Sequence, residues 1–394
     1  MTVDCAAVDF DLSADQQALR EAAAALLEGK AGHDALRARV GTGEVVGTLP
    51  GAGEASAAAA ATNAPQGYDA TAWDAMSEQG WLAIELPEGE GGLGLGLVEV
   101  AVLCEELGRR LVAAPFLPSV VALGALSDCD ASATAAAKEW REAISQGSAV
   151  GCTVFAPSGR ISVSETPTEG EVLLQGDAPP ATYAPSADVA VLVCEAGTYA
   201  VDLRAVGRPD PVPAMDRTRE LGVLHFDGTP AVRLGGADAA ARALDRAATL
   251  VSAEMLGAAD HVLSMSVDYA KDRVQFGKPI GSFQAVKHML ADALVDVEGM
   301  RSTVYYAAWC AAADDPERAL AASMAKAWCS DASARVMGTG LQVHGGIGFT
   351  WEHDMHLYVK RAQLDQVSYG DAPFHRDRIA NILRTRLESG QALS

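Results

Sequence analysis

Apolar positions recur every three to four residues near the start of the chain, at alternate residues through its middle, and every three to four again to its end. Ser13-Ala-Asp-Gln16 has the form of a capping box, and Leu19, Ala22, Ala23, Leu26 and Leu27 follow at helical spacing. Together they predict an amphipathic helix over 9–32. Helical patterning returns at 73–80 and 98–111, on either side of Gly-rich turns at 90–96. Short alternating runs at 150–155, 160–164, 171–175, 189–193, 198–201 and 222–226, punctuated by Gly, Pro, Asp and Thr, predict strands. After Gly235 and Gly236 the pattern is helical over 238–273, 281–313, 316–340 and about 375–388, which suits a four-helix bundle. The expected fold is mostly α with a small β domain. It has an N-terminal helical domain (1–145, with 41–67 a low-complexity flexible insertion), a β-barrel-like middle domain (146–235) and a C-terminal bundle (236–394).

A chain of 394 residues is long enough for several cores. Its formal charge of -22 argues against a nucleic-acid surface, which needs clustered Lys and Arg to displace counterions. A polyanionic ligand therefore needs a local basic grip. The seven cysteines are scattered and odd in number, with no C-x-x-C, and read as reduced thiols of a cytoplasmic protein. Pro115 and Pro118 interrupt the longest apolar run, 111–126, which reads as a buried loop and helix and not a membrane span. Glu352-His353-Asp354-Met355-His356 has no third ligand cluster nearby and reads as a solvated helix start, so no metal is expected.

Two motifs carry the chemistry: R-x-x-F-G-x-x-x-x-x-x-Q over 273–284, and Q-x-x-G-G-x-G-F over 342–349. With the order helices, small sheet, helical bundle, and with Gly80-Trp-Leu-Ala-Ile-Glu-Leu-Pro87 ahead of Gly91-Gly-Leu-Gly94, the chain resembles the acyl-CoA dehydrogenase family over essentially its whole length. The resemblance implies that Arg273, Phe276, Gly277, Gln284, Gln342, Gly345 and Gly346 hold the ADP half of FAD belonging to a neighbouring subunit. The residue types suit that task. An arginine pairs bidentately with a diphosphate, Phe276 offers an apolar face to the cofactor, and the glycines let backbone approach phosphate or ribose oxygens.

The family's general base is a glutamate in a Tyr-Glu-Gly-Thr stretch after the Gly-Gly motif, and laid out without gaps that position falls on Tyr369. A tyrosine titrates near 10, and higher when buried, so it is a poor proton acceptor at neutral pH. A second family location for the base falls near Ala247, with Asp245 and Glu254 in the vicinity, and Asp371 follows Tyr369. The middle-domain stretches Cys152-Thr-Val-Phe-Ala-Pro-Ser-Gly159 and Val172-Leu-Leu-Gln-Gly176 also depart from the family's flavin-ring segments. The resemblance thus implies a non-catalytic subunit in a heteromeric (α2β2) acyl-CoA dehydrogenase, with no catalytic residue of its own. A homologous partner supplies base and flavin-ring site, an acyl-CoA is the substrate (possible class, CoA thioesters of steroid side chains), and electron-transfer flavoprotein is the acceptor. Two rivals stay open: a homotetramer with its base relocated to Glu254, Asp245 or Asp371, and a structural paralogue that binds no nucleotide.

Overall fold

The computed structural model describes residues 12–40, 67–130 and 134–390. The insertion read at 41–67, apart from Gly67, and residues 9–11 of the leading helix lie outside the described residues.

Helix α1 (Ala14–Lys30) starts with the expected box: Ser13 Oγ accepts from the Gln16 N–H, and the Gln16 side chain accepts from the Ser13 N–H. It buries Ala23 and Leu27 and is followed by α2 (His33–Val40) and α3 (Ala70–Glu78). Helix α4 (Leu97–Arg109) is buried along most of its length, and so is α5 (Phe116–Ser127), the helix that the proline-interrupted apolar run becomes. Helix α6 (Thr134–Ser145) completes the N-terminal layer. No helix among the described residues is long and apolar enough to cross a membrane.

The middle region contains β1 (Gly151–Phe155), β2 (Ile161–Glu165), β3 (Glu171–Asp177), β4 (Ala181–Thr182), β5 (Val189–Cys194), β6 (Gly197–Asp202), β7 (Pro211–Val212), β8 (Leu221–Gly222) and β9 (His225–Gly235), with a short α7 (Leu203–Val206) after β6. Six strands form one sheet in the order β1-β5-β6-β9-β3-β2, and β4-β8-β7 form a smaller one. The run expected at 222–226 is in fact two strands, and β9 continues through Asp227-Gly228-Thr229-Pro230, residues that read as a turn. The register explains this: Leu174 faces Thr229 and Gln175 faces Asp227, so Gly228, at φ 61°, is the extra residue of a bulge.

The C-terminal region holds α8 (Ala237–Asp272), a hairpin of β10 (Val274–Gln275) and β11 (Lys278–Pro279), α9 (Gln284–Ala312), α10 (Arg318–His344), α11 (Met355–Val367) and α12 (Ala372–Glu388). Helix α11 is one more than the four expected. Met355 and His356 are buried, so the segment 352–356 leads into the core and is not a solvated start. Among the described residues no cluster of His, Cys, Asp and Glu could hold a metal ion. Helices α4 and α8 cross backbone to backbone. A Cβ on Gly257 would stand 1.8 Å from the Glu105 carbonyl oxygen, and one on Gly108 would stand 2.0 Å from that of Glu254. Phe155 of β1 meets Phe374 of α12 edge to face at 5.6 Å, which ties the large sheet to the last helix.

Candidate functional site

The two sequence motifs emerge from one end of the helical bundle. Tyr269, in the last turn of α8, stacks on His344, the last residue of α10, with ring centroids 4.6 Å apart. Arg273 therefore leaves α8 beside the point where Gly345 leaves α10. Arg273 caps α8, its N–H bonded to the Tyr269 carbonyl at 2.9 Å and its own carbonyl accepting from Ile280 at 2.8 Å. Its side chain is exposed, and among the described residues no carboxylate pairs with it. In an acidic chain an arginine without a partner is a ready anion site.

The β10–β11 hairpin turns on Phe276 and Gly277, at φ 53° and 75°. Two central residues with positive φ make a type I′ turn, the form that matches strand twist. A phenylalanine in that conformation is strained. Its ring is nevertheless 93% exposed, touching Phe283 edge to face at 6.2 Å, while the Lys278 ammonium lies 4.3 Å from the Phe283 ring centre. Gln284 opens α9 and Gln342 lies on the last turn of α10, both exposed. Gly345, at φ 63°, closes α10 as a helix-ending glycine should. Gly346 is different: its φ is not positive, and a Cβ there would meet nothing within 4 Å. The chain itself does not require a glycine at that position, and the space beside it is free for another molecule.

Tyr369 faces inward. It sits at φ 58° in the turn between α11 and α12, and its carbonyl accepts from His375 Nε2 at 3.0 Å. Lys326, fully buried on α10, clips the same turn: its Nζ donates to Ser330 Oγ (3.0 Å), the Gln366 carbonyl (2.9 Å) and the Gly370 carbonyl (2.9 Å). Burial lowers Lys326 to about 8 and His375 to about 4. It also pushes the Tyr369 phenol far above its ordinary range, with Arg219 pulling the other way. A phenol in that state holds its proton and cannot serve as a base.

The other acidic candidates are engaged. Asp245 pairs with Arg378 at 2.6 Å and Arg318 at 3.3 Å. Asp371 caps α12, accepting from the Phe374 N–H at 2.9 Å. Glu254 Oε1 is claimed by two buried guanidiniums, Arg361 at 2.8 Å and Arg219. Beside them, Arg361 bonds Asp216 at 2.7 Å and Arg219 bonds Asp365 at 2.9 Å. Burial, and then Glu254, push Asp365 up to about 7. In the middle domain Thr153 donates its hydroxyl inward to the Pro118 carbonyl at 3.0 Å, and Cys152 and Val154 are buried.

Sequence reasoning located the outward motifs and Tyr369 but missed Lys326, His375 and the buried ionic cluster. Traces were there to see: a lone lysine inside the alanine-rich Ala325-Lys-Ala327, and the dense charge of Asp216-Arg-Thr-Arg-Glu220 within a strand-rich region.

A helical layer, a small sheet and a C-terminal helical bundle, in that order, make up the acyl-CoA dehydrogenase architecture. Domain models of the acyl-CoA dehydrogenase family match residues 52–145 (N-terminal domain) and 235–383 (C-terminal domain). The chain belongs to the acyl-CoA dehydrogenase family, whose cofactor is FAD. It is 35% identical over 352 residues to acyl-CoA dehydrogenase IpdE2 of Mycobacterium tuberculosis, covering 88% of this chain and 91% of that one. Acyl-CoA dehydrogenase FadE27 of the same organism is 33% identical, over 81% and 89% of the two chains. Among solved structures, a variant of the Tcur3481-Tcur3483 steroid ACAD superposes with a TM-score of 0.81 at 27% identity, covering 95% of this chain and 99% of that one. The ChsE4-ChsE5 complex from Mycobacterium tuberculosis gives a TM-score of 0.79 at 27% identity, with the same coverage.

Proposed function

We propose that this chain is the non-catalytic subunit of a heteromeric FAD-dependent acyl-CoA dehydrogenase. It grips the ADP half of a flavin whose ring, and whose base, belong to a homologous partner. The observation that carries this reading is the contrast between two faces of one domain. Arg273, Phe276, Gln284, Gln342 and Gly346 point outward, with a guanidinium that no carboxylate among the described residues pairs with and an exposed ring, while the position of the family base holds a half-buried, protonated Tyr369 packed against the core. Residues that served a flavin inside this chain would have no reason to face away from it.

FAD fits the outward face on the chain's own terms. Arg273 supplies a fixed cation for the diphosphate, Phe276 an apolar surface, and the Gly345-Gly346 backbone a close approach. A bound FAD, held by Arg273, Phe276 and the Gly345-Gly346 backbone, would supply a hydride acceptor for the β carbon, and a carboxylate of the partner would take the α proton. This chain's part is to hold and orient the cofactor, at the cost of an exposed Phe276 when it stands alone. One structural neighbour is named as the ChsE4-ChsE5 complex and another as the Tcur3481-Tcur3483 steroid ACAD, and these paired names support an α2β2 assembly acting on a CoA thioester with a bulky ring system. Electron-transfer flavoprotein is the proposed acceptor and the cytoplasm the proposed location.

The division of labour is tested by assaying acyl-CoA-dependent reduction in the assembled complex. Replacing the partner's glutamate base abolishes reduction, and Tyr369→Phe in this chain leaves it within about twofold, because a protonated phenol is no base. Activity that survives loss of the partner's glutamate, or that collapses in Tyr369→Phe, overturns the reading.

A further inference from the structure

The ionic cluster under Tyr369 joins three parts of the molecule. Arg219, Asp216 and Thr218 come from the β7–β8 connection, Glu254 from α8, and Arg361 and Asp365 from α11. Every side chain in its ion pairs is at most 5% exposed. The bonding is asymmetric. Thr218 donates its hydroxyl to Asp216 Oδ1 at 2.6 Å and accepts from Arg361, so Asp216 is fully engaged. Burial works against its charge, but Arg361 prevails and holds its carboxyl below the ordinary range. Glu254 offers both arginines the same oxygen, and Oε2 has no partner among the described residues. Asp365 gives Oδ1 to Arg219, and Oδ2 likewise has none among them. Both orphaned oxygens belong to carboxyls held by the same guanidinium. A buried oxygen with no donor is costly, and a proton is the smallest group that can supply one.

Two guanidiniums bond three carboxylates, and the Lys326 ammonium of α10 is the next cation that acts on Asp365. It acts at a distance, because its N–H groups are spent on Ser330, Gln366 and Gly370, and Tyr369 is neutral. The Tyr183 hydroxyl, close to Arg219, has no partner either.

We infer that Asp365 holds a proton at neutral pH, and that this buried carboxyl is a pH-sensitive latch fastening the middle domain to α8 and α11. Its Oδ1 still accepts from Arg219 when Oδ2 carries the proton. Loss of the proton leaves a second buried carboxylate competing with Glu254 for the same Arg219 guanidinium, which loosens the Arg219 connection.

The sign follows from where the proton is bound. A carboxyl that titrates higher in the folded chain than in the unfolded one binds more protons when folded, so its contribution to stability falls as pH rises from about 4 to about 7 and is then constant. Buried His375 and His356 push the opposite way over part of that range. The informative quantity is therefore the difference between the natural chain and Asp365→Asn, which copies the protonated form. In the full-length protein as purified, the thermal midpoint of Asp365→Asn relative to the natural chain should climb by several degrees between pH 5 and 8. Infrared difference spectra should also show a protonated carboxylic-acid carbonyl band at pH 7 in the natural chain that vanishes in Asp365→Asn. A relative midpoint independent of pH overturns the inference. So does the absence of the acid band in the natural chain, a readout that holds even if the variant fails to fold.

Discussion

Replacing Arg273 with alanine isolates the cross-subunit grip from the fold that presents it. The two backbone bonds of Arg273, to Tyr269 and from Ile280, survive the change, and the exposed guanidinium has no carboxylate partner among the described residues to abandon. The chain alone should lose no more than about 0.5 kcal/mol, as expected for a surface substitution away from any specific contact. Binding is another matter. A charge-assisted hydrogen bond to a diphosphate contributes about 1.5–3 kcal/mol, and each ~1.4 kcal/mol is a factor of ten in affinity. The complex with Arg273→Ala should therefore bind FAD roughly 10- to 150-fold more weakly. The assay is titration of the flavin-stripped complex with FAD, followed by flavin fluorescence, beside thermal melts of this chain alone. An FAD affinity within twofold of the natural complex would refute the reasoning. A large fall in the midpoint of the chain alone would show that Arg273 serves the fold instead.

Gly346→Leu should spare the fold, because its Cβ meets nothing within 4 Å, and should still abolish FAD uptake by the complex; retained flavin would place the nucleotide elsewhere. Gly257→Ala should do the reverse, destabilising by about 3 kcal/mol or more in urea melts, because its Cβ would stand 1.8 Å from the Glu105 carbonyl oxygen. His375, lowered from 6.5 to about 4 by burial, binds fewer protons folded than unfolded, so its contribution is complete above about pH 6.5 and lost as pH falls toward 4. That gap amounts to about 3 kcal/mol, and His375→Gln, which keeps a donor for the Tyr369 carbonyl, should flatten the acid limb of stability. An unchanged limb in that variant would show that His375 does not titrate on unfolding.

The elements with strong local signals were legible in the sequence. The Ser13–Gln16 box, the alternation of β3, the apolar runs of β1, β5 and β6, and the proline-broken run that becomes α5 all follow from short-range pattern: β3 has one buried face, while the other strands and α5 are buried nearly throughout. What resisted reading was tertiary. Strand β9 runs through turn-forming residues because a bulge opposite Leu174 and Gln175 absorbs Gly228. Helix α11 follows a Gly-rich motif and starts in a charged, histidine-rich stretch, so its periodicity was masked. At the site, Arg273, Phe276 and the glycines could be found from their spacing in the two motifs, and the backbone calls for a glycine only at Gly277 and Gly345, which lie at positive φ. Their outward direction could be taken from the resemblance only. The partners that silence Asp245 and Glu254 stand 73 and 107 residues away in the chain, at Arg318 and Arg361, a distance no spacing rule spans. The lysine clip on the Tyr369 turn depends likewise on two carbonyls, 40 and 44 residues beyond it, being folded back onto α10.

The central claim is that the flavin grip of this chain works for another chain's active site, and the flavin content of purified protein tests it most directly. Expressed alone, the chain should be colourless or hold only traces of FAD. Co-expressed with a dehydrogenase-like partner that carries the glutamate base, it should copurify in a yellow heteromer with one FAD for each pair of unlike chains. Stoichiometric FAD on the chain purified alone, reducible by an acyl-CoA, would contradict the account.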